Sequence, residues 1–531
     1  MKTVNGPYAI LSVTDKTGLL PFAKSLHELG YQLLSTGGTA QLLRDAGVPV
    51  TEVADFTQST EFFGGRVKTL HPRIHGGILM DRNSTQHQSE AVEQRIEAID
   101  LVVVNLYQFA EQAVAQKLSI DKAIEYIDIG GPTMLRAAAK NHKYCLPIID
   151  PQDYSNVIQE LQLGGVKPQT RQRLAAKVFQ ATAEYDRLIT QYLSAEIHAE
   201  TPEETSATPD QLSLSFTKQE SLRYGENPQQ SAAFYSAAGL DSGLQDAKIL
   251  QGKALSYNNY LDLDAASQLV AEFAKPAVAI IKHTNPCGVA AGKDSDALVD
   301  IYERALNADA KSAFGGIVAT NRPIDGATAI KMAEIFLECI AAPEFTAEAM
   351  EVFARKKNLR LLTLPYLALE QAKRCSKDLQ FKSVRGGLLV QTSDELQDSP
   401  EQWKLVGSQA SDAQTLDDLW FAWIVAKHVK SNAIVFAKDQ TSMAIGAGQM
   451  SRVDAVNIAI QKAQEYGHSL SGTVLASDAF FPFRDNVDQA AKHGIKAIVQ
   501  PGGSIRDDES IAACDEHGIV MYFTDRRHFR H

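Results

Sequence analysis

A lysine and a histidine stand side by side at Lys282 and His283, directly after an apolar run at 277–281. The run predicts a buried strand, and the Asn-Pro-Cys-Gly sequence at 285–288 predicts a turn. A strand end is where an open α/β sheet usually carries its ligands, so this pair is placed to transfer protons. On the local pattern alone a structural role is the simpler explanation, because lysines often extend to solvent and histidines often make one structural hydrogen bond.

The same stretch partly matches the zinc deaminase signature, which is H-x-E followed by P-C-x-x-C. Asn285 stands where the glutamate is required, and Ala290 stands where the second cysteine is required. A zinc-dependent nucleoside deaminase is therefore disfavoured, and no zinc is expected. Without a metal, adjacent Lys and His side chains suit proton removal from an amine and stabilisation of a developing oxyanion.

A short glycine-rich segment near the N-terminus has the residue types of a phosphate cradle. It is Ser35-Thr36-Gly37-Gly38-Thr39, between a predicted strand at 31–34 and a predicted helix at 40–46. Exposed N–H groups and the helix dipole favour an anion at such a junction. A tight turn without a ligand is the alternative for so short a motif.

A second glycine-rich segment, 64–77, contains three cations and two histidines and has no helical or strand period. It includes Arg66 and Lys68, and it predicts an anion-binding loop. A zinc site at His71 and His75 is disfavoured because the H-E-x-x-H pattern lacks its glutamate. Pro72 also disfavours a helix that runs through the pair.

The elements that must position these residues alternate between strands and helices. Strands are predicted at 8–13, 31–34, 100–107 and 143–150, and helices at 19–29 and 133–139. Strand, helix and strand at this spacing indicate parallel βαβ units. The strand at 100–107 leaves Tyr107 near its C-terminal end. The Gly-Gly-Pro corner at 130–132 places Asp128 beside a helix N-terminus and Lys140 about two turns along that helix.

The second part of the chain begins after 198–213, which is predicted to be a linker because it lacks an apolar period and carries two prolines. Beyond it, strand–helix alternation continues to the C-terminus without a repeat of fixed period. Glycine or uncommon polar residues mark five predicted junctions, at 313–319, 384–390, 445–452, 477–485 and 501–504. Five such junctions in one domain predict a pocket.

Composition limits the class of protein. A chain of 531 residues exceeds one hydrophobic core, and a net charge of −12 argues against a nucleic-acid surface. A few local cations and backbone N–H groups still suffice for a phosphate. Five scattered cysteines favour a reducing cytoplasm over a disulfide framework. The first residues lack an apolar segment, so secretion is disfavoured, and no run is long enough for a membrane span.

Long motifs stand in collinear order at 12–18, 65–72, 127–132, 223–228, 282–288, 477–483 and 526–531. Through them the chain resembles, over nearly its whole length, the bifunctional enzymes of purine biosynthesis that combine AICAR formyltransferase with IMP cyclohydrolase. The resemblance implies an α/β fold. A methylglyoxal-synthase-like parallel-sheet domain at 1–197 would carry the cyclohydrolase. The linker at 198–213 would lead to a larger α/β formyltransferase domain at 214–531, with cytidine-deaminase-like subdomains.

The resemblance also implies the reactions and the assembly. The formyl group of 10-formyltetrahydrofolate, a co-substrate, would move to the 5-amino group of AICAR. Formyl-AICAR would then lose water and close to IMP. The expected partners are these small molecules, without nucleic acid or membrane. The protein would be a cytoplasmic homodimer whose formyltransferase sites lie across the subunit interface.

Site residues carry over motif by motif. His283 resembles the base that takes a proton from the amine, and Lys282 would stabilise the tetrahedral intermediate. The expected residues of the cyclohydrolase chemistry are Lys68, Tyr107, Asp128 and Lys140. The expected substrate contacts in the first domain are Ser12, Lys16, Ser35, Thr36, Gly38, Arg66, Thr69 and Asn141. Those in the second domain are Arg223, Tyr224, Phe314, Gly316, Asn432, Arg452, Phe480, Asp485 and Arg527.

One further alternative is a nucleotide-binding regulatory protein whose second half has lost its activity. Such a protein would bind IMP or AICAR without turnover. The intact Lys282–His283 pair argues against it.

Overall fold

The computed structural model describes residues 6–200, 211–237, 243–368, 379–395 and 399–531, with side chains described everywhere in these ranges except 195–200. The chain divides into two compact units, Met1–Ser213 and Leu214–His531. Every helix among the described residues is too short or too polar to cross a membrane.

The first unit is built on a five-stranded parallel sheet in the order β3-β2-β1-β4-β5. The strands are β1 (Tyr8–Ser12), β2 (Gln32–Ser35), β3 (Thr51–Glu52), β4 (Ile99–Val104) and β5 (Leu146–Ile148). The helices are α1 (Leu19–Glu28), α2 (Gly37–Asp45), α3 (Val53–Thr57), α4 (Pro72–Leu79), α5 (Thr85–Glu93), α6 (Ile120–Ala123), α7 (Gly130–Lys140), α8 (Tyr154–Gln162) and α9 (Pro168–Glu200). The predicted parallel βαβ arrangement is confirmed.

Residues on successive positions of β1 enter different cores, because side chains alternate across a strand. Ala9 and Leu11 pack against α1 and α8 in one core, and Ile10 packs with α4 and α7 in the other. Helices therefore cover both faces of the sheet. A parallel sheet buried on both faces explains the continuous apolar run at 101–104.

Several predicted boundaries differ from the structure: β4 ends at Val104, β5 covers only Leu146–Ile148, and α7 begins at Gly130. Helix α2 begins at Gly37 rather than at residue 40. Helix α4 begins at Pro72, inside the segment predicted to be a loop, because proline is favourable at the first helical position and the His71 ring accepts a hydrogen bond from the Arg73 N–H at 3.1 Å. Helix α9 continues to Glu200, so residues 198–200 are helical. Residues 201–210 of the predicted linker lie outside the described residues.

The second unit contains a twelve-stranded mixed sheet and two separate hairpins. Its strands are β6 (Phe216–Leu222), β7 (Ala232–Ala237), β8 (Lys248–Gln251), β9 (Ala277–Lys282), β10 (Asn285–Ala291), β11 (Ile317–Thr320), β12 (Cys339–Ala342), β13 (Arg360–Thr363), β14 (Leu379–Val384), β15 (Gly387–Thr392), β16 (Lys404–Val406), β17 (Ile434–Lys438), β18 (Thr441–Gly446), β19 (Val474–Ser477), β20 (Ala497–Gln500) and β21 (Val520–Phe523). Its helices are α10 (Tyr257–Ala271), α11 (Leu298–Ala308), α12 (Ala310–Ala313), α13 (Gly326–Met332), α14 (Ala347–Phe353), α15 (Ala413–Lys427), α16 (Arg452–Glu465), α17 (Asp485–Ala491) and α18 (Asp507–His517).

The large sheet consists of two halves with the same order of elements. Each half begins with an edge strand, β8 or β16, and a fifteen-residue helix, α10 or α15, and continues into an antiparallel hairpin, β9–β10 or β17–β18. Three parallel strands joined by helices follow in each half, and β10 meets β18 at the centre of the sheet. This internal duplication of topology is not visible in the sequence as a repeat, because the two halves share no residue period.

The halves bury three cores. Alternate residues of β9 pack on opposite faces: Ala279 and Ile281 with α10 and α15, and Val278 and Ile280 with α11, α13 and α14. The third core lies between the second half of the sheet and α16, α17 and α18. The unit therefore has a helix layer on each face of its sheet.

Four of the five predicted strand–helix junctions lie where helix and strand meet, before β11 and after β18, β19 and β20. The fifth prediction, at 384–390, is wrong. This segment forms a hairpin between β14 and β15, with Arg385 and Gly386 in the turn. Gly386 has a φ of 85°, a left-handed conformation that favours glycine and reverses the chain at once.

Candidate active sites

The first candidate site lies at the carboxyl ends of β1 and β4. These strands are neighbours, and the strand order reverses between them, which is the position where doubly wound sheets bind ligands. Asn105 joins the two loops that leave the strands: its Oδ1 accepts from the N–H groups of Thr14 at 2.6 Å and Asp15 at 3.0 Å. Its Nδ2 donates to the Asp15 carbonyl at 3.1 Å. One amide therefore fixes both sides of the crevice.

Helix α2 begins beside this crevice, and the Thr36 side chain makes no cap hydrogen bond. Its first N–H groups and its dipole therefore favour an anion. Thr36 and Gly38 lie at this end, as predicted. Ser35 is fully buried, and its hydroxyl donates to the Leu11 carbonyl at 2.6 Å, so the predicted hydroxyl contact is already used inside the protein.

Lys16 also points back into the protein. Its Nζ donates to the Val13 carbonyl and to the Thr39 hydroxyl, the latter at 2.7 Å. Burial lowers the pKa of the Lys16 ammonium below its ordinary value. The ammonium is therefore bound to the loop that follows β1 and to Thr39 of α2, although Lys16 as a whole is exposed. Ser12 is the last residue of β1.

The N-terminus of α7 forms the opposite wall. The Asp128 Oδ1 accepts from the Gly131 N–H at 2.9 Å, and a Cβ at Gly131 would lie 3.1 Å from the Val104 side chain. Burial raises the pKa of the Asp128 carboxyl, and backbone hydrogen bonds from Gly131 and Tyr107 oppose this rise. The hydroxyl of Thr69 lies over this helix end, 2.7 Å from where a Cβ of Gly130 would stand. Glycine at 130 and 131 therefore permits these close approaches.

Lys68 lies between the two helix ends. Its Nζ is 4.0 Å from the Cβ position of Gly37 in α2, and 3.4 Å from the Glu61 carboxylate. The preceding Arg66 pairs with Glu125, and both of these side chains are exposed. The structure thus brings Lys68, Thr69, Tyr107 and Asp128 to one edge of the sheet, and places Arg66 at its margin.

Two predicted residues lie elsewhere in the first unit. Lys140 ends the helix that begins beside Asp128, and eleven helical residues span about 15 Å. Asn141 donates to the carbonyls of Ile78 at 2.7 Å and Met80 at 3.0 Å, which closes the end of α4. Asp128 lies just before the N-terminus of α7, and Lys140 lies at its C-terminus. The turns of helix between them therefore keep the two residues apart.

The second candidate site contains the Lys282–His283 pair, at the turn of the β9–β10 hairpin. His283 and Thr284 form the whole turn, with φ values of 53° and 60°. The Lys282 ammonium donates to the Phe314 carbonyl at 2.8 Å. A Cβ at Gly316 would lie 2.9 Å from the Ile281 carbonyl, so a larger residue there would push the hairpin away. Lys282, His283, Phe314 and Gly316 therefore lie in one cluster.

The predicted turn at Asn-Pro-Cys-Gly is wrong, since residues 285–288 begin β10. Pro286 is tolerated there because the register shifts between Pro286 and Gly288, and a bulge needs no N–H from the proline. A two-residue hairpin turn favours Asn-Gly or Asp-Gly at positive φ, and His-Thr gives no such signal.

A cavity of about 440 Å³ opens in the second half of the unit. Its wall contains Asn432, Met450, Ser451, Arg452, Val453, Ala479, Phe480, Pro482, Phe483, Asp485, Asn486, Arg527 and Phe529. Five predicted residues, Asn432, Arg452, Phe480, Asp485 and Arg527, thus meet in one place. The apolar wall residues Met450, Phe483 and Phe529 were not predicted, because their exposed positions give no periodic signal.

The guanidinium of Arg452 is buried in this wall. It donates to the Asp478 carboxylate, to the Ser477 hydroxyl at 2.9 Å and to the Asn432 Oδ1 at 2.8 Å. Arg452 therefore holds the wall together instead of presenting a free cation. Arg527 is exposed, with its guanidinium 4.6 Å from the centre of the Phe529 ring, and it provides a cation at the rim.

The hairpin turn is connected to the cavity through Asn285. Its Oδ1 accepts from the Lys430 N–H at 3.0 Å, and its Nδ2 donates to the His283 carbonyl at 3.3 Å. Lys430 lies two residues before Asn432 in the cavity wall. Arg223 and Tyr224 lie outside this wall: the Arg223 Nη2 donates to the Tyr224 hydroxyl at 2.7 Å, in the turn after β6.

Asp262 is a residue that sequence analysis did not assign to the site. It lies in α10, and its carboxylate accepts from the backbone N–H groups of His283 and Thr284. A single aspartate within a helix has no motif that would have predicted this contact.

No group of side chains suited to hold a metal ion occurs in the described ranges.

Comparisons with known proteins match both units. A family model described as "AICARFT/IMPCHase bienzyme" matches residues 138–462, and one described as "MGS-like domain" matches residues 18–133. A curated relative from Acidithiobacillus ferrooxidans, named "Bifunctional purine biosynthesis protein PurH", is 51% identical over 527 residues, covering 98% of this chain and 99% of the relative. A relative of the same name from Magnetococcus marinus is 49% identical over 534 residues, with the same two coverages.

The solved structure titled "Crystal structure of ForH" is 38% identical, and the match covers 36% of this chain and 97% of that chain. Its TM-score is 0.34, which is too low to support a structural argument.

Proposed function

This chain belongs to the AICARFT/IMPCHase bienzyme family, and we propose how its two activities divide between its two units. It is a bifunctional AICAR formyltransferase and IMP cyclohydrolase, which carries out the final two steps of purine biosynthesis. Residues 1–197, which include the MGS-like domain, close formyl-AICAR to IMP, and residues 214–531 transfer the formyl group. The observation that carries this division is that each unit has its own cluster of cations and polar groups.

Formyl transfer uses the Lys282–His283 pair. His283 takes a proton from the 5-amino group of AICAR as its nitrogen attacks the formyl carbon. The ammonium of Lys282 stabilises the oxyanion of the tetrahedral intermediate. The bond from the formyl carbon to the folate nitrogen then breaks, and that nitrogen receives a proton. The hydrogen bond from Lys282 to the Phe314 carbonyl fixes the position of the ammonium before substrate arrives.

Cyclisation uses the crevice between β1 and β4. The N-terminus of α2, with Thr36 and Gly38, binds the phosphate of the nucleotide. Lys68, Thr69, Tyr107 and Asp128 surround the reacting groups, where the carboxamide nitrogen attacks the formyl carbon and water leaves. The reaction is intramolecular, so holding the two groups in contact supplies much of its acceleration.

The formyl-folate co-substrate is 10-formyltetrahydrofolate, and it binds in the 440 Å³ cavity. Phe480, 40% exposed at the cavity wall, provides a flat apolar surface for a ring. Arg527 provides a cation at the rim for a carboxylate. Together these residues suit a ligand with an aromatic ring at one end and negative charge at the other.

The protein is a homodimer with the formyltransferase sites at the subunit interface. The β14–β15 hairpin supports this proposal, because it exposes Phe381, Val384, Leu388 and Leu389 and forms a sheet of only two strands. An isolated two-stranded hairpin is only marginally stable unless other protein surface packs against it. Sedimentation equilibrium measures the oligomeric state, and a monomer at micromolar concentration would contradict the proposal.

We also propose that each half of the second unit is a cytidine-deaminase-like subdomain, which the repeated order of helix, hairpin and parallel strands supports. The enzyme acts in the cytoplasm. The free thiols of Cys145, Cys287, Cys339 and Cys514 are in keeping with a reducing compartment.

The direct test supplies purified protein with AICAR and 10-formyltetrahydrofolate. Tetrahydrofolate and IMP should appear in equal amounts, because each transfer is followed by one cyclisation. Absence of tetrahydrofolate would contradict the assigned formyl transfer. Supplying formyl-AICAR alone separates the second step, which should proceed without folate.

A further inference from the structure

The His283–Thr284 turn is held from outside its own hairpin, by Asp262 in α10. One carboxylate oxygen, Oδ2, accepts from the His283 N–H at 3.2 Å, and the other, Oδ1, accepts from the Thr284 N–H at 2.6 Å. Both turn residues have positive φ, a conformation that residues with a Cβ rarely adopt. The contact therefore stabilises a backbone conformation that His and Thr do not prefer.

The second half of the sheet contains the same arrangement. Asp418 is the sixth residue of α15, as Asp262 is the sixth residue of α10. The Asp418 Oδ1 accepts from the Gln440 N–H at 2.9 Å, in a turn formed by Asp439 and Gln440 with φ values of 51° and 55°. A helical aspartate that binds a two-residue turn is thus built into both halves, and only the first turn carries a histidine.

The two aspartates differ in their surroundings. Asp418 is fully buried, and the Lys496 ammonium lies 3.9 Å from its Oδ2. Asp262 is only partly buried and forms no ion pair within the described ranges. Burial raises the pKa of the Asp262 carboxyl, the two backbone donors oppose this rise, and the charge of His283 acts in the same direction as the donors. The hydrogen bonds to the Asp262 carboxylate that come from the turn are therefore those of its backbone.

We propose that Asp262 is a positioning residue for formyl transfer, which fixes the His283 turn through two backbone hydrogen bonds and so sets where the imidazole lies when it accepts a proton. This inference rests on the proposed role of His283. Asp262 acts through His283 and not on the substrate, because both of its oxygens bind the turn's backbone.

The choice of a carboxylate follows from this geometry. An asparagine at 262 would offer one acceptor oxygen and turn an amide NH₂ toward the second N–H, which would then lose its partner. The turn would keep its connection to β9 and β10 and lose the contact that sets its conformation. Small displacements of a catalytic group cost about 100-fold in rate.

The test compares Asp262→Asn with the matched variant Asp418→Asn. Formyl transfer and cyclisation of supplied formyl-AICAR are measured in both, together with thermal unfolding. Asp262→Asn should lower kcat for transfer about 10- to 100-fold, change KM for AICAR by less than about threefold, and leave cyclisation unchanged. Asp418→Asn should lower the unfolding temperature and leave kcat for transfer within about twofold.

Three results would overturn the inference: an unchanged kcat in Asp262→Asn, equal losses of kcat in the two variants, or a rise in KM without a fall in kcat. If Asp262→Asn does not fold, Asp262→Glu replaces it. Glutamate keeps the charge and both oxygens but moves them by one methylene, so kcat should fall less, and an unchanged kcat would again contradict the proposal. Failure of the wild-type enzyme to transfer formyl groups would instead refute the proposed function.

Discussion

The two candidate sites of this protein are built by different means. In the first unit, parallel strands and two helix N-termini surround a crevice, and many of the groups that face it belong to the backbone. In the second unit, the central pair of side chains lies at the end of an antiparallel hairpin, with Lys282 at the end of β9 and His283 in the two-residue turn, and the cavity is separate from it. Under the proposed division of activities, this difference predicts that cyclisation depends on many small contributions and formyl transfer on one side chain.

The chemistry explains why these designs suit their reactions. Cyclisation joins two groups of one molecule, so the site has to hold a conformation and bind a phosphate. Formyl transfer joins two molecules and needs a base at one defined point. The predictions that follow test this contrast between distributed and concentrated sites.

The largest effect is expected from His283→Ala. Loss of a general base typically lowers the rate about 10²- to 10⁴-fold, so formyl transfer should fall by about 10³-fold. Cyclisation of supplied formyl-AICAR should stay unchanged, because His283 belongs to the other unit. Separate assays of tetrahydrofolate release and of IMP formation measure the two steps.

The matched control for His283→Ala is Asp439→Ala, which changes the corresponding turn of the second half. Asp439 has a φ of 51°, so both variants place alanine in the same strained conformation. The rate of formyl transfer should be unchanged in Asp439→Ala. A loss of both activities in His283→Ala, with the fold intact, would show that the division between units is wrong.

A smaller effect is expected from Asp128→Asn. The substitution keeps the shape of the side chain and removes the charge at the N-terminus of α7, so cyclisation should fall about 10²-fold while transfer is unchanged. Initial rates with supplied formyl-AICAR provide the measurement. Asp121→Asn, an exposed site in α6, is the control and should have no effect on either rate. A loss of 10⁴-fold in Asp128→Asn would contradict a distributed site.

Asp128 also predicts a dependence of stability on pH. Burial raises the pKa of its carboxyl above the ordinary value of 3.8, so the folded protein favours the protonated form. This contribution to stability is full below pH 3.8 and is lost as the pH rises through the raised pKa. Urea unfolding should therefore show Asp128→Asn gaining stability relative to wild type as the pH increases from 3.5 to neutrality. If the difference in free energy of unfolding between the two proteins did not change with pH, the pKa of the Asp128 carboxyl would not be raised by folding.

The first site was largely predictable from sequence. The βαβ pattern, the glycine-rich junction before α2 and the Gly-Gly-Pro corner all follow local rules, and Asp128 lies at a helix N-terminus as the corner predicts. The position of Lys140 was not predictable by the same rules, because spacing along a helix does not say which end faces the site. The use of Ser35 and Lys16 inside the protein likewise depends on packing.

For the second site, the sequence predicted which residues take part but not how they are arranged in space. The His-Thr turn lacks the glycine or asparagine that marks positive φ, so the reversal appeared to fall at Asn-Pro-Cys-Gly. It depends on Asp262, twenty-one residues earlier in the chain. Likewise, Arg452 has the charge of a phosphate ligand, and only its contact with the buried Asp478 reveals that it belongs to the wall. Long-range contacts decide both cases.

Asn105→Ala should have a moderate effect on the first unit. The variant removes the hydrogen bonds that join the Thr14–Asp15 backbone to the end of β4, and each is worth about 1 kcal/mol. Cyclisation should fall about tenfold, and the first unit should unfold at lower temperature. Rates with formyl-AICAR and calorimetry measure the two effects. Asn83→Ala, at an exposed turn before α5, is the control, and equal losses in both variants would argue that Asn105 has no special place in the crevice.

The smallest effect is expected from Phe480→Leu, which tests whether the cavity is part of the formyl-transfer site. Phe480→Leu keeps an apolar side chain at the wall and removes the flat ring, whose stacking is worth about 0.5–1.5 kcal/mol. The KM for 10-formyltetrahydrofolate should therefore rise about 2- to 12-fold, with kcat and the KM for AICAR nearly constant. Tyr235→Leu changes an aromatic residue that is 50% exposed on β7 and does not line the cavity, and it should leave all three constants unchanged. If Phe480→Leu instead lowered kcat as strongly as His283→Ala does, formyl transfer would depend on the cavity wall as much as on its base, and the second site would be as distributed as the first.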